Sequence, residues 1–167
     1  TAAYTSALAK SGAPGMEPVA FLDGLATEST IDGLPVYTDA AFCLEQTTPD
    51  VVIDFSNASW TPGLAAACLH ARVRLVCGTT GLAPEFMEFI EREARERGVG
   101  VLIAANFAIG AVLMMHFAAQ AARFFDNAEI IELHHDQKVD APSGTAKTTA
   151  ERMRAARKDP FVHPPTE

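Results

Sequence analysis

The stretch VVIDFSNASWTPGLAAACLHARVRLVCGTTGL, residues 51–82, sets two short apolar runs on either side of an alanine-rich segment. Val51 to Phe55 is β-branched and apolar, stops at Ser56-Asn57, and reads as a buried strand. Trp60 to Ala71 reads as a helix, with Pro62 near its first turn, where a missing N–H costs nothing. Val73 to Cys77 is a second strand, and it ends in Gly78-Thr79-Thr80-Gly81. Two strands joined through a helix run parallel, because the helix carries the chain back to the starting edge.

Working outward, the same alternation continues. Pro84 opens a helix with an apolar stripe of Phe86, Phe89, Ile90 and Ala94 and a charged opposite side; Gly98 closes it, and Val99 to Ala104 is another strand. Upstream, Pro18 to Leu22 reads as a strand stopped by Asp23-Gly24, followed by a polar loop to Pro35 and a short extended piece at Val36-Tyr37. Asp39 is placed to cap a helix running to about Gln46. The expected class is α/β, a Rossmann-type parallel sheet with helices on both faces and ligand-binding loops along one edge.

Beyond residue 107 the pattern changes. Ile109 to Phe125 reads as a helix with almost no polar side in its first half, as expected for a helix buried between domains or at a subunit contact. Glu129 to His135 alternates like a strand, Lys138 to Pro142 reads as loop, and Ser143 or Gly144 begins a helix to about Arg157. Phe161 to Glu167 reads as loop.

Thirteen Lys and Arg against twenty-one Asp and Glu leave a net charge of −8, which argues against a general nucleic-acid binder. No apolar stretch reaches the roughly 18 residues of a spanning helix, and Thr1 to Lys10 lacks the character of a signal peptide, so no membrane partner is expected. Cys43, Cys68 and Cys77 are odd in number and irregular in spacing, which suggests buried free thiols in a reducing, cytoplasmic compartment.

Chemistry concentrates in ELHHDQKVDAPSGTA, residues 132–146. A histidine at a strand end can donate a proton near neutral pH, and Lys138 supplies a fixed positive charge. Ser143-Gly144-Thr145 at a helix start offers N–H groups and hydroxyls to an anion. Together these describe a site for a carboxylate-bearing substrate that needs protonation. Adjacent His134 and His135 are poorly placed to share one ion and HExxH is absent, so no metal site is expected. Asp23 stands where a dinucleotide fold contacts the adenosine ribose, although an Asp before Gly is also an ordinary turn residue.

The segment HHDQKVDAPSGTA resembles the signature of the dihydrodipicolinate reductase family, the 4-hydroxy-tetrahydrodipicolinate reductases of lysine and diaminopimelate biosynthesis. VVIDFSNAS, VCGTTGL and AANFAIG resemble the family's other motifs in the same order, so the likeness runs from about Met16 to Ala150. It implies an N-terminal dinucleotide-binding domain over 1–107 and, over 108–167, the start of an α+β domain for substrate binding and tetramer formation. It implies NADH or NADPH as cofactor and a small cyclic dicarboxylate imine as substrate. By the resemblance His134 is the proton donor and Lys138 its cationic partner, while His135, Gly144, Thr145 and Thr80 bind substrate. Asp23, Gly78, Thr79, Thr80, Ala104, Ala105, Asn106 and Phe107 fall at cofactor-binding positions.

The sequence departs from the family in three places. The family begins with a strand and a glycine-rich phosphate loop and continues past the Ser-Gly-Thr helix. The chain is therefore expected to be truncated at both ends, with Thr1 to Lys10 as the helix behind that loop. Ala108 stands where the family often has Ser. The competing readings are a catalytically idle dinucleotide-fold domain that binds a ligand or partner, and another nicotinamide-dependent reductase. On cofactor choice, Asp23 favours NADH by repelling a 2′-phosphate, and Gly24 to Asp32 contains no Lys or Arg.

Overall fold

A computed structural model describes residues 15–134, 136 and 141–162. The expected helix at Thr1 to Lys10 lies outside these, as does the tail from His163 on. The chain divides into two compact units, the first ending at Ile103 and the second beginning at Ala104.

In the first unit, strands β1 (Phe21–Leu22), β2 (Thr30–Ile31) and β3 (Leu34–Tyr37) form one sheet, ordered β1-β3-β2. β1 pairs parallel with β3, and β2 pairs antiparallel with it. The expected strand at Pro18 to Leu22 shortens to two residues, and the expected polar loop to Pro35 contains a hairpin. Asp32 and Gly33, both at positive φ (50° and 82°), make its two-residue turn. Helix α1 (Ala40–Thr47) follows, and Asp39 Oδ1 accepts the Phe42 N–H at 2.7 Å, the cap read from the sequence.

The second sheet is wholly parallel: β4 (Val51–Asp54), β5 (Arg74–Cys77) and β6 (Val101–Ile103), in that order. Helix α2 (Thr61–Ala71) joins β4 to β5, and α3 (Pro84–Arg97) joins β5 to β6. Gly98, at φ 66°, ends α3 in the left-handed conformation that a side chain resists. Leu64, Cys68 and Leu69 of α2, Leu75 and Cys77 of β5, and Ile90 of α3 fill the core. The α3 stripe is narrower than expected. Ile90 is buried, but Phe89 is exposed and lies under the Arg92 guanidinium, 5.6 Å from its centroid.

The second unit contains α4 (Ile109–Ala121), a 3-10 turn (Ala122–Phe124) and α5 (Gly144–Ala155). α4 packs against α5. Met115 is buried, but Val112, Leu113, Met114 and Phe117 are exposed, so the expected burial of this helix is not found among the described residues. The expected strand from Glu129 is likewise not found among the described residues: 129–134 forms no ladder. Alternation supplies a face, but a strand also needs a neighbour for its N–H and C=O groups, and none of the described strands pairs with this segment. Ile131 and Leu133 are correspondingly 84% and 91% exposed.

Candidate functional site

In the first unit, the candidate residues lie at the carboxyl ends of parallel strands. Asp23 directly follows β1 and is exposed. Its Oδ1 accepts the Leu25 N–H at 2.9 Å, the habit of a turn aspartate, and Oδ2 points to no donor among the described residues. Gly24 lies beneath the indole of Trp60: a Cβ there would stand 2.5 Å from Cζ3. Trp60, taken from the sequence as packing, thus forms a wall beside Asp23.

The Gly78–Gly81 turn follows β5. Gly78 lies flat beneath the Phe55 ring, and any Cβ would overlap it, so only glycine lets the two strand ends close. The Gly78 N–H donates to the Asp54 carbonyl at 2.8 Å. The Thr79 hydroxyl turns inward to Asp54 Oδ2 at 3.4 Å, and the residue is buried, with its backbone hydrogen-bonded to the Cys77 thiol. Thr80 is half-buried and Gly81 exposed.

Asp54 was not singled out in the sequence. It ends β4, is 3% exposed, and accepts hydrogen bonds on both oxygens. Oδ1 takes the Ser56 N–H at 2.9 Å and the Ser56 hydroxyl at 2.6 Å; Oδ2 takes the Thr61 hydroxyl at 2.6 Å, Thr79, and the Cys77 thiol at 3.6 Å. Nearby, burial pushes the Cys68 thiol up to about 12, and the negative charge of Asp54 adds to that. Burial is also the leading cause that raises Cys77 and Cys43. All three cysteines are buried and free, as expected from their spacing.

In the second unit, Glu132 is the organising residue, and it too was passed over in the sequence. Its Oε1 accepts the Ser143 N–H at 2.8 Å, and Oε2 accepts the Ser143 hydroxyl. Oε2 also lies 3.7 Å from His134 Nδ1. One carboxylate therefore ties the candidate proton donor to the helix start. Ser143 caps α5 as read, its Oγ accepting the Ala146 N–H at 3.1 Å. Its own N–H and hydroxyl are taken, however, so the expected anion cradle narrows to the N–H groups of Gly144 and Thr145. The Thr145 hydroxyl accepts from Asn106 Nδ2 at 3.2 Å, and Asn106 Oδ1 in turn accepts the Ala108 N–H at 2.8 Å. Asn106, placed by resemblance on the cofactor side, and Thr145, placed on the substrate side, are thus in direct contact. Ala104 and Ala105 are half-buried and Phe107 is exposed. His135 and Lys138 lie outside the described residues. Among the described residues, no group of three or more His, Cys, Asp and Glu side chains is arranged to hold a metal ion.

Parallel strands joined through helices, with a glycine-threonine turn at the end of β5 and an exposed carboxylate at the end of β1 in the neighbouring mixed sheet, define an α/β protein of Rossmann type. Residues 13–107 match the family described as dihydrodipicolinate reductase, N-terminus, and residues 110–163 match dihydrodipicolinate reductase, C-terminus. The chain belongs to the dihydrodipicolinate reductase family. It is 46% identical over 135 residues to a 4-hydroxy-tetrahydrodipicolinate reductase from Dehalococcoides mccartyi (strain CBDB1), covering 80% of this chain and 51% of that one. It is 50% identical over 123 residues to the enzyme of the same name from Geobacillus kaustophilus (strain HTA426), covering 74% and 46%. The chain thus spans about half the length of the curated relatives it matches. A dipicolinate-bound dihydrodipicolinate reductase from Paenisporosarcina sp. TG-14 superposes with a TM-score of 0.76 at 37% identity, over 98% of this chain and 65% of that one.

Proposed function

We propose that this protein is a nicotinamide-dependent 4-hydroxy-tetrahydrodipicolinate reductase. It would reduce the cyclic dicarboxylate imine derived from that substrate to tetrahydrodipicolinate, in lysine and diaminopimelate biosynthesis. The observation that carries the reading is the tie, through Glu132, between His134 and the start of α5. It places a proton donor beside a site for an anion. The Paenisporosarcina relative binds dipicolinate, which supports a dicarboxylate ligand for this chain.

The residues present fit the cofactor. Asp23 offers an exposed carboxylate oxygen to a ribose diol, and no Lys or Arg stands between Lys10 and Arg72 to meet a 2′-phosphate. NADH is therefore the proposed partner, with Gly78, Thr79 and Thr80 against its nicotinamide end. When bound, the cofactor supplies a hydride. The imine also needs one proton, and His134 gives it; with Nδ1 turned to Glu132, Nε2 is the nitrogen left for substrate. Gly144 and Thr145 take one substrate carboxylate on their N–H groups, Thr80 and His135 contribute further contacts, and Lys138 holds the charge. By the family resemblance the full-length protein works as a homotetramer, and the buried free cysteines fit a reducing, cytoplasmic compartment.

The test is turnover by the purified protein and its His134→Gln variant. Loss of the acid should lower kcat by roughly 10²–10⁴-fold with KM little changed. A folded variant with unaltered kcat would overturn the assignment, and an idle binding domain would show no turnover in either form.

A further inference from the structure

The reductase reading leaves one buried carboxylate without a task. Asp54 faces no Lys or Arg at hydrogen-bonding distance among the described residues, and its charge is held by hydroxyl, thiol and amide donors alone. A buried anion of this kind is costly unless its donors are fixed. Those donors come from three segments: the loop after β4 (Ser56), the first residue of α2 (Thr61), and the end of β5 with its turn (Cys77, Thr79). The Asp54 carbonyl adds a tie to Gly78.

We infer that Asp54 is a positioning residue that locks the β4 and β5 strand-end loops into one rigid rim for the nicotinamide cofactor. This rests on the reductase reading, which puts the cofactor on the Gly78–Thr80 turn. The argument is geometric. The inward Thr79 hydroxyl pins the turn to Asp54 and the Thr79 backbone is held by the Cys77 thiol, so the more accessible Thr80 and Gly81 that follow are carried on a fixed base. A carboxylate only accepts, so it fixes the direction of each hydroxyl; an amide at the same place both accepts and donates and leaves Thr79 free to turn. A preformed rim needs no ordering when ligand binds, so loosening it should weaken cofactor binding before it slows chemistry.

The experiment measures NADH binding by quenching of Trp60, the single tryptophan, together with steady-state kinetics and thermal unfolding. Asp54→Asn should raise the NADH dissociation constant by about tenfold, as expected for losing hydrogen bonds to a charged acceptor. Cofactor KM should rise with it, and kcat at saturating NADH should stay within about twofold of wild type. Thr79→Val keeps the side-chain shape and removes the donor. It should show the same loss, Thr79→Ser should recover most of the affinity, and the Asp54→Asn/Thr79→Val double variant should be no worse than either single one. If Asp54→Asn does not fold, the Thr79 pair decides alone. A lower melting temperature with an unchanged NADH dissociation constant in the folded variants would overturn the proposal and leave Asp54 merely structural. Wild-type protein that does not bind NADH or NADPH would instead overturn the reductase reading, and the proposal with it.

Discussion

Glu132 shows how one side chain can set two functions against each other. Its carboxylate holds Ser143 by two hydrogen bonds and approaches His134, yet it also puts a negative charge beside the N–H groups proposed to receive the substrate. Glu132→Gln keeps an acceptor for Ser143 and removes the charge. The expected outcome is a lower kcat, because the imidazole loses its partner, with an unchanged or lower KM for the dicarboxylate. Steady-state kinetics on the variant check it, and a rise in KM alone would contradict it. The cysteines give a second prediction at this scale. Burial holds the Cys68 thiol at about 12 against an ordinary 9.0, so the folded chain keeps a proton that the unfolded chain releases. Above about pH 9 the unfolded state binds fewer protons, and stability falls as pH rises toward 12; below that range this thiol contributes no pH dependence. Urea midpoints measured from about pH 8 to about pH 10.5 should decline, and Cys68→Ala should flatten the slope. The Ser143 cap was legible in the sequence because a Ser-Gly-Thr helix start satisfies its own backbone groups locally, whereas the roles of His134, His135 and Lys138 are proposals, the last two lying outside the described residues. Glu132 and Asp54 were not legible, because an acid within an apolar stretch or at a strand end looks ordinary until its partners, 11 and up to 25 residues away, are brought to it.

Elements were legible where local chemistry alone settles them. Asp39 capping α1, Pro62 in the first turn of α2, Gly98 ending α3 and Ser143 capping α5 each satisfy backbone groups within a few residues, and each stands as read. The strand expected from Glu129 is not found because pairing is a property of two segments; the apolar α4 helix is found as read, and its expected cover, a second domain or a subunit, lies outside a single chain. The hairpin at Asp32-Gly33 was missed although its Asp-Gly turn was in plain view, since its strand residues Thr30 and Ile31 are too few to show alternation. One contact between elements carries its own prediction. Gly78 lets the end of β5 pass beneath the Phe55 ring that follows β4, and a methyl group there must push the ring or the turn aside. Gly78→Ala should destabilise the protein by about 1–3 kcal/mol and weaken NADH binding, as seen by thermal unfolding and by fluorescence titration. Phe55→Leu in the same background removes the ring and should restore part of both. A fully stable Gly78→Ala protein with normal affinity would mean that the close approach is not needed.

At the scale of the whole chain, charge is unevenly spread. The net charge is −8, and every Lys and Arg but Lys10 lies at or beyond Arg72. The segment that supplies β1, the hairpin, α1 and β4 therefore carries acids alone, among them Asp23, Glu28, Asp32 and Asp39. A ligand that approaches this end with an additional phosphate meets a field of its own sign, beyond any contact with Asp23 itself. NADPH differs from NADH there by about two negative charges at neutral pH. Two effects should follow, and they are separable. The direct contact is short-ranged, so it should survive in salt, and Asp23→Ala or Asp23→Ser should reduce the preference for NADH at any ionic strength. The summed field acts over roughly 10 Å at 0.1 M salt and about 3 Å at 1 M. The ratio of kcat/KM for NADH to that for NADPH should thus exceed one at low salt and fall as salt is added, through a falling KM for NADPH. Measuring both cofactors across that range in wild type and Asp23→Ala tests both parts. A wild-type preference for NADPH at low salt would show that neither Asp23 nor the acidic field governs the adenosine end.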